Sequence, residues 1–145
     1  MKPERQSVIS ESDRRFIVAF EACQLQANEF RHREHLRVAY IYLTLHPFDL
    51  ALQKMERGLQ RLLAHLGAPS SQYHRTLTEA WLRAVQHFMK KSGPTSDFEH
   101  FLATSGCLLS KEIMATHYTA EVLASEAART AFVKPDLCPI PEHVG

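Results

Sequence analysis

The feature that most limits what this chain can fold into is the helical spacing of apolar residues between positions 52 and 66. Leucine or methionine recurs there at intervals of three and four residues: Leu52, Met55, Leu59, Leu62 and Leu66. This spacing places the five side chains on one face of an α-helix. Pro47 suits the first turn of such a helix, and Gly67 followed by Pro69 suits its end. The sequence therefore predicts an amphipathic helix from about 47 to 66.

Other stretches show the same helical period and are separated by short links. They cover residues 12–23, 31–45, 72–91, a piece opening at 96, 108–116 and 125–132. Ser12 is the predicted N-cap of the first, and Ser70 or Ser71 that of the helix at 72–91. The chain has only five Gly and seven Pro, which disfavours a loop-rich β architecture. Because short links join antiparallel neighbours, we predict an all-α fold, a single up-down bundle of five to six helices.

The chain of 145 residues is predicted to form one domain. The helical bundle should span residues 10–132. Residues 1–9 contain too little apolar surface to fold and are predicted to be a flexible leader. Residues 133–145 contain several prolines and are predicted to form an extended C-terminal tail. Three apolar side chains of this tail should pack along the bundle: Val133, Leu137 and Ile140.

Composition narrows the expected partners and location. The 17 Lys and Arg nearly balance the 16 Asp and Glu, and no long run carries one sign. A nucleic acid partner needs a concentrated basic field, so none is expected. The longest nearly apolar run, 38–45, is too short to cross a bilayer, and we expect no export signal. The three cysteines are far apart and odd in number, which favours reduced thiols. We predict a cytoplasmic protein with no membrane partner and draw no prediction of its oligomeric state.

Histidines stand at the starts of two predicted helices. The stretch from Phe30 to Arg37 reads F-R-H-R-E-H-L-R and places His32 and His35 three residues apart, on the apolar face of the helix at 31–45. His74 holds the same position in the helix at 72–91. The predicted inner stripe of that helix consists of His74, Leu77, Trp81, Ala84 or Val85, and Phe88. The helix at 47–66 lies between the helices at 31–45 and 72–91 in the chain and should be antiparallel to both. The helices at 31–45 and 72–91 should therefore be parallel to each other, with their N-terminal ends at the same end of the bundle. We therefore predict that the three imidazoles converge on one pocket.

Such a pocket has a definite chemistry. Positive helix ends and apolar surroundings disfavour protonated imidazole, and neutral imidazole is the form that binds metals. The pocket would hold a divalent transition metal (Zn, Fe, Cu or Ni) or a small polar ligand, and would support metal-assisted or histidine acid/base chemistry. The side chains expected to hydrogen-bond the imidazoles are Tyr73, Thr76, Thr78 and Tyr118. The H-x-x-H spacing is a weak motif, because the metalloprotease pattern H-E-x-x-H is absent.

Two alternatives remain beside a ligand pocket. The three histidines could form a buried hydrogen-bonded network that only fixes the packing at one end of the bundle. The protein would then be a non-catalytic helical module that binds a partner. The sequence assigns no catalytic residue and no bound organic cofactor, and it leaves open whether the chain is an enzyme.

Three segments of the chain follow recognisable patterns. They are F-R-H-R-E-H-L for F-x-H-x-x-H-L, Y-H-R-T-L-T for Y-H-x-T-x-T, and S-E-A-A-R-T-A-F-V-K-P-D-L-C-P-I-P for S-x-x-A-R-x-x-F-V-x-P-D-L-x-P-x-P, with Tyr118 as a matching tyrosine before the third segment. Together they resemble a family of small, uncharacterised, all-helical bacterial proteins, over nearly the whole chain from 16 to 141. The resemblance implies no activity. It places motif positions at His32, His35, Tyr73, His74, Thr76, Thr78, Tyr118, Ser125, Arg129, Pro135 and Asp136.

Overall fold

A computed structural model describes residues 9–141 of the chain, and in this range it contains helices and no β-strand. The longer helices are α1 (Glu11–Glu21), α2 (His32–Leu45), α3 (Phe48–His65), α4 (Arg75–Ser92) and α5 (Phe98–Thr104). The short ones are α6 (Ala120–Leu123) and α7 (Glu126–Thr130). Turns of 3-10 helix lie at Ala27–Glu29, Ser70–Gln72, Gly106–Leu109 and Lys111–Thr116. The all-α prediction is confirmed.

Polar side chains at the helix starts explain where two of these helices begin. Ser10, not the predicted Ser12, caps α1, and its hydroxyl accepts a hydrogen bond from the Asp13 amide at 3.1 Å. Asp97 caps α5 in the same way and accepts from the His100 amide at 2.8 Å. Such caps satisfy N–H groups that have no partner within the helix.

Helices α2, α3 and α4 alternate in direction. His32 at the start of α2 packs against Trp81 in the first half of α4, with ring centroids 4.5 Å apart. Tyr40, further along α2, pairs its hydroxyl with Thr95 Oγ1 at 2.8 Å, just beyond the end of α4. Helices α2 and α4 are therefore parallel. The C-terminal half of α3 lies beside the N-terminal ends of both, so α3 runs in the opposite direction.

A glycine allows α1 to pack closely on α3. Phe20 of α1 is fully buried, and its ring lies over Gly58 of α3. A Cβ atom at position 58 would stand 2.4 Å from Phe20 Cε2, far closer than two carbon atoms can approach. The absence of a side chain at Gly58 therefore fixes how α1 meets the bundle.

Helix α4 is buried on two faces. The predicted inner stripe consists of His74, Leu77, Trp81, Ala84 or Val85, and Phe88, and several of these side chains, including Trp81, are only half-buried. Thr76, Ala80 and Leu82 lie outside that stripe and are fully buried. The chain after α6 covers this second face, because α7 packs against α4. The predicted stripe therefore describes one side of a central helix.

The C-terminal segment after α7, residues 131–141, contains no helix or strand and is bonded to the helical body. The Val133 amide donates to Thr76 Oγ1 at 3.0 Å, and the Leu137 amide donates to the His117 carbonyl at 2.9 Å. Ile140 is buried, whereas the Leu137 side chain is 49% exposed. The predicted packing of Leu137 along the body is therefore wrong, since its backbone rather than its side chain faces the bundle.

Most of the predicted leader lies outside the described residues, as do residues 142–145 of the predicted tail. Ile9, the last residue assigned to the leader, is described and belongs to the buried core. It immediately precedes the N-cap of α1, a position where an apolar side chain often packs back against the helix. The leader prediction is therefore wrong at Ile9.

Within residues 9–141, no helix has the length and apolar character needed to cross a membrane. Cys23, Cys107 and Cys138 are free cysteines, in keeping with the predicted reduced thiols. A cytoplasmic location stays a prediction.

Candidate functional site

A cavity of about 600 Å³ opens where α2 and α4 begin and α3 ends. Its wall contains all three predicted histidines, His32, His35 and His74, and we call it the histidine cavity. Much of the remaining wall is apolar and includes Met55, Leu59, Leu62, Leu63, Leu77 and Trp81. The sequence-based prediction of the pocket's location agrees with this cavity.

His74 is a helix cap. Its Nδ1 accepts a hydrogen bond from the Leu77 amide at 3.1 Å, at the first turn of α4. Its Nε2 lies 2.8 Å from the Leu123 carbonyl and must donate, because a carbonyl oxygen only accepts. Both nitrogens are thus used by a neutral imidazole. The predicted caps, Ser70 and Ser71, lie instead in the preceding 3-10 turn.

His32 lies deeper along the bundle than His74. Its Nε2 donates to the Leu108 carbonyl at 2.8 Å, and its ring meets the edge of Trp81. Trp81 is seven residues beyond His74, which is about 10 Å along a helix that rises 1.5 Å per residue. His32 and His74 therefore share the cavity wall at different depths.

His35 packs on an aromatic ring beside the same cavity. Its Nδ1 donates to the Arg31 carbonyl at 3.1 Å, and its ring centroid lies 4.4 Å from that of Phe30. Burial is the main cause that lowers the pKa of both His35 and His32 below the usual 6.5. These two histidines are therefore expected to be neutral near pH 7.

The geometry gives no support to the predicted metal site. Among residues 9–141, no group of three or more His, Cys, Asp or Glu side chains is arranged to hold a metal ion. His74 has both nitrogens engaged, which leaves Nδ1 of His32 and Nε2 of His35 as the imidazole nitrogens of the cavity without a hydrogen bond in the described structure. Metal binding by the three histidines stays an unsupported prediction.

Tyr73 and Thr78 line the cavity, but the prediction that they hydrogen-bond the imidazoles is wrong. The Thr78 hydroxyl donates to the His74 carbonyl at 2.9 Å. The Tyr73 hydroxyl is buried and forms no hydrogen bond within the described residues, and burial raises its pKa. Thr78 and Glu56 lie close enough to influence this pKa, but neither meets the geometry of a hydrogen bond. Tyr73 therefore lines the cavity and has a hydroxyl donor that is unsatisfied within the described residues.

Thr76 and Tyr118, predicted to bond the imidazoles, have a different function. Thr76 Oγ1 donates to the Ala131 carbonyl at 2.9 Å and accepts from the Val133 amide at 3.0 Å. The Tyr118 hydroxyl donates to the Val133 carbonyl at 2.6 Å, and burial raises its pKa to about 12. Both side chains hold the C-terminal segment against the second face of α4. The prediction that they support the histidines is wrong.

Sequence reasoning missed two charged residues and a second cavity. Arg31 and Lys111 belong to the wall of the histidine cavity. Lys111 opens a 3-10 turn within the stretch 108–116, which was predicted to be one helical piece, and Arg31 immediately precedes α2. A second cavity of about 550 Å³ lies at the opposite end of α2 and α4, with Gln86 in its wall. Oε1 of Gln86 is buried without a hydrogen bond in the described structure.

The depressed histidine pKa values predict that acid destabilises the fold. Between the unfolded pKa of about 6.5 and the lower folded pKa, the unfolded chain binds more protons than the native protein. The stability contributed by neutral His32 and His35 is therefore complete above about pH 6.5 and is lost as the pH falls below it. Urea unfolding should show the free energy of unfolding decreasing by up to about 1.4 kcal/mol per pH unit for each histidine in this window.

Two variants test whether the buried histidines cause this pH dependence. His35→Gln should flatten the slope between about pH 6.5 and 5.5, because one titrating group is removed. His65→Gln is the control, since His65 is exposed at the end of α3, and it should keep the wild-type slope. A slope unchanged by His35→Gln would contradict the prediction.

The comparisons with known proteins add no name to this geometry. The chain matches no protein-family model, no curated protein and no solved structure. The resemblance of its motifs to a family of small bacterial proteins therefore stays a prediction, and the function has to be argued from the cavity.

Proposed function

We propose that this protein binds a small organic molecule with an apolar body and a hydrogen-bond acceptor in the histidine cavity. The observation that carries the proposal is a cavity of about 600 Å³ with a largely apolar wall, which includes Tyr73, a residue with a buried and unpaired hydroxyl. Ligand sites typically measure about 300 to 1,000 Å³ and combine apolar walls with few polar groups. The cavity fits that description in size and composition.

The apolar part of the wall supports an apolar ligand body. Leucine side chains of α3 face Leu77 and Trp81 of α4 across the cavity. A ligand that covers apolar surface removes it from water, and this contributes about 25 cal/mol of favourable binding free energy per Å². A small polar ligand or a single ion would leave most of this surface wet. We therefore favour an amphipathic molecule over the polar ligand and the metal predicted from the histidines.

The Tyr73 hydroxyl supports an acceptor on that molecule. A buried donor without a partner lowers the stability of the fold by about 1 to 3 kcal/mol, and natural proteins retain few such donors. An oxygen of the ligand would accept a hydrogen bond from the Tyr73 hydroxyl. The neutral imidazoles of His32 and His35 would supply further acceptor nitrogens for a hydroxyl or amide on the ligand.

Trp81 provides the experimental test, because it is the single Trp of the chain and lies in the cavity wall. Titration with decanol, which has an apolar chain and one hydroxyl, should give a saturable change in Trp81 fluorescence. Ala68→Phe fills the cavity from its half-buried rim and should weaken the binding at least about tenfold. Ala64→Phe is the matched control, since Ala64 is exposed and lies outside the wall, and it should bind as the wild type does. No saturable change, or equal affinity in the two variants, would overturn the proposal.

Tyr73→Phe separates ligand binding from a structural purpose of the hydroxyl. Removal of an unpaired buried donor should leave the free energy of unfolding unchanged or raise it. The affinity for decanol should fall by roughly two- to tenfold, because one hydrogen bond is lost. A destabilised variant with unchanged affinity would contradict this interpretation.

A further inference from the structure

We infer that the ligand of the histidine cavity is an anion, an amphipathic molecule with one carboxylate group that lies against Lys111 and Arg31. This inference rests on the proposed function and adds the charge of the ligand to it. The chemical class is a monocarboxylate with an apolar chain or ring system.

The charges of the cavity wall have one sign. Arg31 and Lys111 both belong to the wall, and the wall contains no Asp or Glu. Lys111 lies close enough to His32 and His35 for its charge to contribute to lowering their pKa values. With the imidazoles neutral, the two basic side chains are the positive charges that face the cavity. A ligand anion would therefore meet attraction without repulsion from an acidic wall residue.

Some of the other basic side chains in the described part of the chain have acidic partners. Arg37 pairs with Asp13, Arg75 with Glu56 and Glu79, and Arg129 with Glu126. Within residues 9–141, neither the Arg31 guanidinium nor the Lys111 ammonium group forms an ion pair or a side-chain hydrogen bond. The formal net charge of the chain is only +1, so this is a local arrangement and not a general excess of base.

The positions of these groups fit one head group and one apolar body. Lys111, Arg31, His32 and His35 form the side of the cavity next to the start of α2, and the leucines of α3 form another side. A carboxylate at the first side would place its chain over the second.

Decanoate and decanol, which share one chain and differ in the head group, test the charge. In low-salt buffer near neutral pH, the Trp81 titration should show decanoate binding about tenfold more tightly than decanol. Lys111→Glu should abolish this preference, because the positive charge that lies against the carboxylate is replaced by a negative one. Lys134→Glu makes the same charge change at an exposed residue outside the cavity wall and should retain the preference. Added salt should weaken the binding of decanoate alone.

The outcomes distinguish this inference from the proposal on which it rests. Decanol binding with equal or weaker binding of decanoate would overturn the anionic ligand and leave the proposed function intact. An unchanged preference for decanoate in Lys111→Glu would also overturn the inference. Absence of saturable binding by either compound would overturn both.

Discussion

Replacement of Asp13 by alanine should destabilise the protein by about 3 to 5 kcal/mol, the usual loss when one partner of a buried ion pair is removed. Asp13 is only 1% exposed. Its carboxylate accepts from Arg37 Nε at 3.0 Å and from the Phe98 backbone N–H at 3.0 Å. Alanine would leave a largely buried guanidinium without its carboxylate and a buried N–H at the start of α5 without an acceptor. Urea unfolding at neutral pH measures the loss.

Asp97→Ala is the control for this expectation. Asp97 also bonds the first turn of α5, but it is more exposed and accepts one backbone N–H, that of His100. Loss of such a cap typically costs about 1 kcal/mol. Similar losses in Asp97→Ala and Asp13→Ala would show that Asp13 contributes only as a cap and that its pair with Arg37 adds nothing.

The sequence could not reveal what Asp13 does. Helical periodicity reports which residues share a face of one helix, so it predicted α1 and α5 but not how their side chains meet. The partners of Asp13 lie 24 and 85 positions away in the chain. In the local sequence, Asp13 is an acidic residue in the first turn of a helix. Such a residue interacts favourably with the helix dipole and is normally exposed.

The position of the histidine cavity could be predicted, because it depends on which residues share a face of a helix. The contacts of Asp13 do not depend on this, and so they could not be predicted. The apolar faces of α2 and α4 and the shortness of the links between helices determine that His32, His35 and His74 approach one end of the bundle. Two of the imidazoles, those of His32 and His74, bond to backbone atoms of distant segments, at Leu108 and Leu123. Those segments are short 3-10 or α-helical turns, and their placement leaves no periodic signal.

The misassignment of Thr76 and Tyr118 has one physical cause. Both were expected near the histidines because Thr76 follows His74 closely and an aromatic hydroxyl suits an imidazole network. The extended segment after α7 instead covers the second face of α4 and has backbone groups that need partners. Thr76 and Tyr118 satisfy the groups of Ala131 and Val133. A helix buried on two faces cannot be read from a single apolar stripe.

Replacement of Glu79 by alanine should also destabilise the fold by about 3 to 5 kcal/mol. Glu79 is 5% exposed and accepts from Arg75 Nη1 at 2.6 Å and from Arg83 Nε at 2.9 Å. Arg75 also pairs with Glu56 of α3 at 2.8 Å, and the Arg83 guanidinium lies over the Phe132 ring at 5.5 Å. The carboxylate of Glu79 thus joins α3, α4 and the start of the C-terminal segment. The free energy of unfolding in urea is the measurement.

Glu11→Ala tests whether burial, and not the number of partners, determines this loss. Glu11 lies near Arg14 and Arg15, at 3.9 and 3.5 Å, so both glutamates have two arginines within a turn of the same helix. Glu11 is exposed, and water screens exposed pairs to less than about 1 kcal/mol. In the sequence each glutamate is three or four residues from two arginines. Only the covering of α4 by other segments makes the loss of stability larger for Glu79 than for Glu11. Equal losses in Glu11→Ala and Glu79→Ala would mean that the buried network adds no more stability than surface charges do.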